Sequence, residues 1–399
     1  MINSIYLFDT EKTHLNLLPL SYIRPLAAIR VGINTILEKW EKIFDKKCHY
    51  YPVEYLRSKF GDIDMEEEDA LFIAGNLLPD EDIINQLLKI KPEESFFFEN
   101  DDDLIAYRGK AVDFIEKNWK IKTNIAKARK IEYVYDIFLN NAREIEYDFY
   151  RLTHGKESLP LPPSINVIGG KENPEKKIFI EEGADICAAS INVSRGPVYI
   201  GRNAVVMEGS LLRGPLAVCE GAKIRMGSKI YSGCTFGPYC KVGGEIDNTV
   251  MFGYSNKAHD GYLGNAVIGE WCNIGAGTNA SNLKNDYSKI RIWNFATQSF
   301  MKTDLQFCGL IMGDHSKIGV NCMLNTATVI GVGVNLHGAG FPRVFIPNFC
   351  EGSPASGFAS MRLEKFHDIA HRVMSRRQMS MDDKDREIIS HIYQESIGK

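Results

Sequence analysis

Apolar residues recur with a step of six along the middle of the chain. Beginning at residue 200, the apolar positions are Ile200, Val206, Leu212, Val218, Ile224, Ile230, Phe236 and Val242. Small residues lie four positions after most of them, namely Ala204, Ser210, Ala222, Ser228, Cys234 and Cys240. A period of six matches neither an α-helix at 3.6 nor a hairpin strand at 2. It predicts a parallel β-helix built from hexapeptides, with aliphatic side chains inside and small residues at the corners.

The same step returns on both sides of this run and predicts a β-helix domain over residues 178–345. The further positions are Ile180, Ile186, Tyr262, Ile268, Ile274, Ala280, Met312, Ile318, Leu324, Ile330 and Leu336. Cysteines 234, 240, 272 and 322 occupy the row of small residues, so they are interpreted as packing residues rather than as metal ligands.

The step is broken between residues 281 and 307, which we expect to leave the coil as an arm. Trp293 and Phe295 lie on that segment. On a free arm they would expose apolar area, so a neighbouring subunit is the expected partner and the sequence predicts an oligomer.

The two flanks have other patterns. Residues 1–152 alternate strand-like and helix-like segments, which predicts an α/β domain with a mostly parallel sheet. A helix face is expected over Ile29, Ile33, Ile36, Leu37 and Trp40, and Asp80 is a candidate helix cap. The Pro-containing residues 153–177 are predicted to be a linker. Residues 346–399 carry two helical apolar faces, which predict a helical pair packed on the coil.

Composition narrows the class of protein. The 399 residues are 44% hydrophobic and 25% charged, with a formal net charge of -4, as in a globular domain. The sequence has no basic stripe of the kind that binds nucleic acid. It also has no apolar run long enough to predict a membrane span. The N-terminus lacks the pattern of a signal peptide, and the nine cysteines lack CxxC pairs. We therefore expect a cytoplasmic protein with reduced thiols.

A glycine-rich stretch inside the repeat, KAHDGYLGNAVIGEWCNIGAGTNASN, carries a specific motif. With the coil, it resembles the family of bifunctional N-acetylglucosamine-1-phosphate uridyltransferases and glucosamine-1-phosphate acetyltransferases. The matching positions are His259, Tyr262, Gly264, Asn273 to Thr278, and Asn282. The resemblance implies an α/β nucleotidyltransferase-like N-terminal domain, a left-handed β-helix that forms a homotrimer, and C-terminal helices.

The resemblance also implies roles for individual residues. His259 would be the general base that takes a proton from an attacking amine, which suits an imidazole with a pKa near 6.5. Tyr262 and Asn273 would orient the sugar, and Asn282 would contact the sugar or the base from across a subunit interface. The cations available to a sugar phosphate are Arg225, Lys229, Lys241, Lys257, Lys284 and Lys289. Acyl-CoA would lie in a groove beside Gly319 and Gly338, with Arg343 near a phosphate.

Several positions depart from the family pattern. A loose alignment places Tyr231 and Asp247 where the family has an Arg and a Lys that bind the sugar phosphate. In the N-terminal domain no glycine precedes Gly32, so the glycine-rich phosphate loop is missing; Arg24 and Arg30 are the remaining phosphate-binding candidates. Asn76 stands in the place of a metal-binding aspartate, so Mg²⁺ is expected only if this domain is active, and no other metal is expected.

The sequence thus predicts a transferase that moves an acetyl group from acetyl-CoA to an amino-sugar 1-phosphate. Coupled nucleotidyl transfer would use a nucleoside triphosphate to make a UDP- or dTDP-sugar for the cell envelope. Two alternatives stay open at this point: a sugar-1-phosphate nucleotidyltransferase whose β-helix only trimerises, and a non-catalytic scaffold that binds nucleotide sugars.

Overall fold

The computed structural model describes residues 2–99, 103–125, 128–169, 173–187 and 189–397. They form two compact units. The first unit contains residues 1–17, 23–29 and 34–133, and the second contains 18–22, 30–33 and 134–399. The boundary differs from the predicted one at residue 152, because residues 134–153 pack with the repeat.

The first unit is built on a six-stranded sheet in the order β2-β1-β3-β6-β5-β7. Its strands, with a separate short pair formed by β4 and β8, are β1 Ser4–Phe8, β2 His49–Tyr51, β3 Ala70–Ala74, β4 Leu77–Leu78, β5 Glu94–Phe98, β6 Leu104–Gly109, β7 Ile121–Ile125 and β8 Arg129–Lys130. Strand β1 is parallel to β2 and β3, and β5 is parallel to β7, whereas β6 is antiparallel to both of its neighbours. The predicted α/β architecture is therefore confirmed, with the antiparallel pair β5–β6 inside a mixed sheet.

Short helices surround this sheet. They are α1 Glu11–Asn16, α2 Ile36–Phe44, α3 Arg57–Phe60, α4 Glu81–Leu87 and α5 Ala111–Ile115, with 3₁₀ turns at Leu26–Ala28 and Glu54–Leu56. Asp80 caps α4 as predicted, since its carboxylate accepts from the Ile83 N–H at 3.0 Å. Helix α2 begins later than predicted: Thr35 and Glu38 form a capping box there, so Ile29 and Ile33 lie before the helix.

The second unit contains a parallel β-helix with three faces. The first face has strands Asn166–Ile168, Ser190–Asn192, Leu211–Arg213, Lys229–Ile230, Asn279–Ala280 and Met323–Leu324. The second face has Ile178–Ile180, Val198–Ile200, Leu216–Val218, Cys234–Phe236, Ile311–Met312, Val329–Ile330 and Phe345–Ile346. Two long strands, Glu245–Met251 and Tyr262–Ile268, run through the first face into the second. The third face has Asp185–Ile186, Val205–Val206, Lys223–Ile224, Lys241–Val242, Asn256–Lys257, Asn273–Ile274, Lys317–Ile318, Asn335–Leu336 and Cys350–Ser353.

The six-residue step determines the interior of this β-helix. All eight apolar residues from Ile200 to Val242 lie in one buried cluster, together with the predicted flanking residues such as Ile268, Met312 and Leu336. Cysteines 234, 240, 272 and 322 belong to the same cluster, as predicted. One predicted position is wrong: Leu263 points inward in place of Tyr262, because the step to the next residue of the inward apolar row, Ile268, is five residues there and not six.

The arm at residues 281–307 is present, but its aromatic residues are covered by the same chain. It contains an antiparallel hairpin of Arg291–Asn294 and Ser299–Lys302. The Trp293 ring stacks on Phe345 with 4.1 Å between ring centroids, and Phe295 is buried against Tyr22 and Phe345. The expectation that these residues need a neighbouring subunit is therefore wrong, and the arm gives no argument for an oligomer.

The flanks close the ends and sides of the β-helix. Helix α6, Asp136–Thr153, lies on the second face, where the Asn141 amide donates to the Gly233 carbonyl at 2.8 Å. The predicted linker is partly structured, since Asn166–Ile168 pairs with Ser190–Asn192 as the first rung and Pro174–Lys177 forms a 3₁₀ turn. At the other end, strand Gly357–Ser360 pairs antiparallel with Cys350–Ser353. The predicted C-terminal helices are α7 Leu363–Ser375 and α8 Asp383–Ile397.

Candidate functional site

His259 lies at the corner where the chain passes from the third face to the first. The strand Asn256–Lys257 ends just before it, and Tyr262 begins the next strand. Its side chain is exposed and borders a pocket of about 380 Å³, a size typical of small-molecule sites. The pocket is lined by Arg225, Met226, Gly243, Gly244, Ala258, His259, Asp260, Ala276 and Gly277.

The corner is narrow because its backbone segments stack without side chains between them. Gly261 has a φ of +122°, and a Cβ there would lie 2.1 Å from the Thr278 carbonyl oxygen of the next coil. Only glycine fits this position. The packed backbone leaves His259 on the outer edge of the turn. Within the described part of the chain its imidazole makes no hydrogen bond, so both ring nitrogens face the pocket or solvent.

Lys257 does not reach the pocket as a substrate-binding cation. Its side chain is 1% exposed, and its ammonium group donates to the backbone carbonyls of Gly243, Asp260 and His259. It thus occupies a position inside the coil and holds the turn that carries His259. Burial lowers the pKa of Lys257 to about 8. The predicted role in sugar-phosphate binding is wrong, because a group that satisfies three buried carbonyls has no donor left for a ligand.

Tyr262 and Asn282 are brought together within one chain. The Asn282 amide donates to the Tyr262 hydroxyl at 2.9 Å and to the Asn265 side-chain oxygen at 2.8 Å. Gly264 makes room for this contact, since a Cβ there would lie 2.3 Å from the Tyr262 hydroxyl. Burial raises the pKa of Tyr262 to about 12, so its O–H stays protonated and can donate to a ligand. Asn282 therefore orients Tyr262 from the same subunit.

The other predicted positions are distributed along the β-helix. Asn273 is exposed on the third face, in register with Asn256 and Lys317, and does not line the pocket at His259. Gly319 follows the third-face strand one coil further on, and its carbonyl accepts from the Thr278 hydroxyl at 2.8 Å. Gly338 has a φ of +85° and is exposed, as is Arg343, which makes no ion pair within the described ranges.

Sequence reasoning did not place Met226 and Asp260 in the pocket lining, and it named Arg225 only as one of the cations available to a sugar phosphate. A signal for Arg225 was available. Arg225 comes directly after Ile224, one of the inward-pointing apolar residues of the six-residue repeat. Gly243 comes directly after Val242, the apolar residue paired with Ile224 on the next strand. Residues at one place in successive hexapeptides stack above each other, so the register alone puts Arg225 next to the coils of the motif.

The first unit was expected to bind phosphate and metal. Arg24 is 5% exposed and belongs to this unit, whereas Arg30 belongs to the second unit, where its guanidinium donates to the Ile33 carbonyl. Asn76 is buried and donates to the Ile131 carbonyl at 2.9 Å. The Asp9 carboxylate, fully buried at the end of β1, accepts from the Leu26 N–H at 3.0 Å, and burial raises its pKa.

The described residues contain no cluster of three or more His, Cys, Asp or Glu side chains arranged to hold a metal ion. Among them no helix has both the length and the apolar character to cross a bilayer.

Parts of the chain are similar to known proteins. Residues 5–157, less than half of the chain, match the family model described as sugar nucleotidyl transferase. Among curated proteins, the chain is similar to the bifunctional protein GlmU of Rippkaea orientalis, with 34% identity over 105 residues, 22% of this chain and 23% of that protein. The GlmU protein of Methanococcus aeolicus is 29% identical over 96 residues, 20% of this chain and 23% of that protein. The resemblance to this family is therefore confirmed over part of the chain, which spans about a quarter of the length of these relatives.

Solved structures of two acyltransferases also align with the chain. The polySia specific acetyltransferase NeuO aligns with 12% identity and a TM-score of 0.28, covering 50% of this chain and 88% of that one. The UDP-N-acetylglucosamine acyltransferase of Arabidopsis aligns with 14% identity and a TM-score of 0.19, covering 60% of this chain and 96% of that one.

Proposed function

We propose that this protein transfers an acetyl group from acetyl-CoA to the amino group of an amino-sugar 1-phosphate, with His259 as general base. The main support is the arrangement of His259. Its exposed imidazole borders a small-molecule pocket, and the buried ammonium of Lys257 holds the backbone that carries it. A residue held this way keeps its position without using its own ring nitrogens.

The chemistry requires one proton to move twice. The amine nitrogen attacks the thioester carbonyl, and the new C–N bond forms while His259 takes a proton from the nitrogen. The C–S bond then breaks, and the protonated imidazole returns the proton to the leaving CoA thiolate. An imidazole can accept a proton in the first step and donate it in the second, so His259 serves both. Backbone N–H groups of the glycine-rich coil are the candidate donors for the oxyanion.

The remaining residues have binding roles in this proposal. Tyr262 donates its O–H to a sugar oxygen, and Asn282 fixes the ring from behind through the 2.9 Å hydrogen bond. Acetyl-CoA extends along the same corner toward Gly319 and Gly338, with Arg343 available to a phosphate. Asn273 lies outside the pocket lining, so in this proposal it contacts substrate only from another subunit.

We also propose that the active form is the homotrimer implied by the resemblance. Two apolar residues near the catalytic corner support an interface: Met226 is 68% exposed and Val320 is 63% exposed. Sedimentation velocity of the purified chain measures this directly. A monomer at micromolar concentration would contradict the proposal.

Nucleotidyl transfer by the first unit is a second candidate function, favoured by the family match over residues 5–157. It would require a nucleoside triphosphate and Mg²⁺. The internal hydrogen bonds of Asn76 and Asp9 count against a metal site of the expected kind. Release of pyrophosphate from a nucleoside triphosphate and a sugar 1-phosphate would establish this activity.

Thiol release tests the first proposal. The protein, acetyl-CoA and a panel of amino-sugar 1-phosphates are mixed, with the His259→Ala variant in parallel. Sugar-dependent release of CoA thiol that is lost in the variant supports the proposal. Equal release by the variant contradicts the role of His259. No release with any sugar, together with measurable binding of nucleotide sugars, would favour the scaffold alternative.

A further inference from the structure

Five basic side chains meet on the third face of the β-helix. Lys223 and Lys241 point outward from directly opposite positions of adjacent parallel strands, which lie about 4.8 Å apart. Arg225 follows Lys223 by two residues, and Arg376 and Arg377 lie between helices α7 and α8. The pKa of Lys241 is lowered, first by burial and then by the positive charges of Arg377, Lys223, Arg376 and Arg225. We refer to these five residues as the basic cluster.

No member of the basic cluster makes a salt bridge within the described residues. This is unusual in a chain with a formal net charge of -4, because like charges at this spacing repel and raise the free energy of the folded state. An anionic ligand would remove that repulsion on binding.

Arg377 is held in place by its neighbours. Its guanidinium donates to the Asn256 side-chain oxygen at 3.4 Å and lies 5.8 Å from the centre of the Tyr254 ring. Tyr254 is itself stacked on Trp271, with 4.4 Å between ring centroids. The Arg377 guanidinium is therefore held beside the third face by the stacked rings of Tyr254 and Trp271. The basic cluster is preorganised to that extent.

The basic cluster is continuous with the pocket at His259. Arg225 belongs to both, and Gly243, two residues after Lys241, also lines the pocket. A ligand with its reactive group at His259 would thus have its anionic end on Arg225 and Lys241. By contrast, the two positions where the family has its phosphate-binding cations are occupied by Tyr231 and Asp247 on the first face.

We propose that the basic cluster binds the phosphate groups of a ligand whose other end occupies the pocket at His259. The identity of that other end rests on the proposed function, whereas phosphate binding does not. Arg225, Lys223 and Lys241 supply the charge that is missing at Tyr231 and Asp247. Two ligands share this chemistry: the phosphate of an amino-sugar 1-phosphate and the phosphates of acetyl-CoA.

Isothermal titration calorimetry with the full-length protein tests the proposal without requiring turnover. The probes are inorganic pyrophosphate, glucosamine 1-phosphate and CoA, each titrated into the wild type, the double variant Arg225→Gln/Lys241→Gln and the control Lys302→Gln. Lys302 is an exposed lysine on the hairpin. We expect the double variant to bind at least one probe about tenfold more weakly or worse, and the control to bind as the wild type does.

The pattern of losses identifies the ligand. A loss confined to glucosamine 1-phosphate assigns the basic cluster to the sugar substrate, and a loss confined to CoA assigns it to the acyl donor. Equal affinities in the double variant and the wild type would overturn the proposal, as would the absence of binding of all three probes to the wild type. The His259→Ala variant should keep the wild-type affinity for pyrophosphate, which has no group to place in the pocket, so failure of catalysis and failure of phosphate binding are distinguished.

Thermal unfolding shows whether the double variant binds more weakly only because it is less stably folded. Removing two of five repelling charges should leave the melting temperature of the double variant equal to or above that of the wild type. Pyrophosphate should raise the melting temperature of the wild type and raise that of the double variant less. A double variant that unfolds at a lower temperature would show that the two cations stabilise the fold, and would contradict the proposal.

Discussion

Two corners of the same β-helix differ in the size of the side chains that occupy them. Between the second and third faces, successive coils place Tyr239, Tyr254, Trp271 and His315 in a stack, with ring centroids 4.4 to 6.2 Å apart. Phe366 of α7 packs edge-on against His315 and closes this corner. Between the third and first faces, His259 is surrounded by glycines and alanines and faces a pocket.

Under the proposed function, one corner of the repeat contributes to stability and the other carries out the chemistry. Both corners are made by residues in left-handed or tight conformations, such as Trp271 with a φ of +60° and Gly261 with a φ of +122°. Large rings at one corner stack on each other and contact Phe366 of α7. Small residues at the other leave space for a ligand beside one imidazole. Variants at the two corners should therefore affect different measurements.

The His259→Ala variant should show the largest effect on the open corner. Loss of a general base lowers the rate of such a reaction by about 10²–10⁴-fold. The exposed side chain makes no hydrogen bond within the described chain, so the melting temperature should stay within a degree or two of the wild type, since exposed substitutions change stability by about 0.5 kcal/mol or less. Steady-state thiol release and thermal unfolding of the same samples provide both values. A variant that is still active would contradict the role of His259. A variant that is unfolded would show that this corner also contributes to stability.

The Trp271→Ala variant should show the reverse behaviour at the aromatic corner. Trp271 is 5% exposed and stacks between Tyr254 and His315, so its removal should cost about 3–5 kcal/mol of unfolding free energy. Urea denaturation measures this cost. At a temperature where the variant is still folded, kcat should change less than threefold; a loss as large as that of His259→Ala would mean that the two corners do not act separately.

The Lys257→Met variant tests the support beneath His259. Methionine keeps the length of the side chain but leaves the carbonyls of Gly243, His259 and Asp260 without their donor, at a cost of about 1–3 kcal/mol. Denaturation at neutral pH measures the loss. Lys302→Met, at an exposed lysine of the hairpin, is the matched control and should be neutral.

The pH dependence of the unfolding free energy tests whether the Lys257 ammonium group is buried. Folded Lys257 has its pKa lowered to about 8 from an ordinary value of 10.5. Between these values the unfolded wild type binds more protons at this position than the folded wild type, so the stability contributed by Lys257 rises with pH, by at most about 1.4 kcal/mol per pH unit. The difference between wild type and Lys257→Met should widen from pH 8 toward pH 10. A narrowing difference would contradict the assigned burial of the ammonium group.

The Tyr262→Phe variant should have the smallest effect. It removes one O–H donor and leaves the ring over Gly264, so kcat/KM should fall by about two- to tenfold, corresponding to about 0.5–1.5 kcal/mol for one hydrogen bond. The loss should appear mainly in the KM for the sugar substrate. An unchanged KM would place the sugar away from the Tyr262 hydroxyl.

Much of the fold could be predicted from the pattern of residues. The aliphatic row from Ile200 to Val242 required a coil with a six-residue repeat, because only that period buries all of its members at once. The capping aspartate at residue 80 and the two C-terminal helical faces were local signals of the same kind. The motif around His259 likewise pointed to one corner of the coil, where the imidazole is exposed beside a pocket.

Other features depend on contacts that no local pattern records. Lys257 looks like a surface cation in the sequence, but its place in the inward row buries it and directs its ammonium group to three carbonyls. Trp293 and Phe295 seemed to require a second subunit, yet Phe345, about fifty residues later, covers both. The basic cluster joins residues separated by some 150 positions along the chain.

The sequence by itself determined the repeat, its small-residue corners and the identity of the candidate base, because these follow from spacing and residue type within a few coils. Tertiary structure alone decided which charged groups are buried, which aromatic residues are covered and which cations meet beside the pocket. The physical reason is that a short-range period fixes the direction of each side chain relative to the coil axis. What that side chain then contacts depends on segments that return from distant parts of the chain, and their position is set by packing.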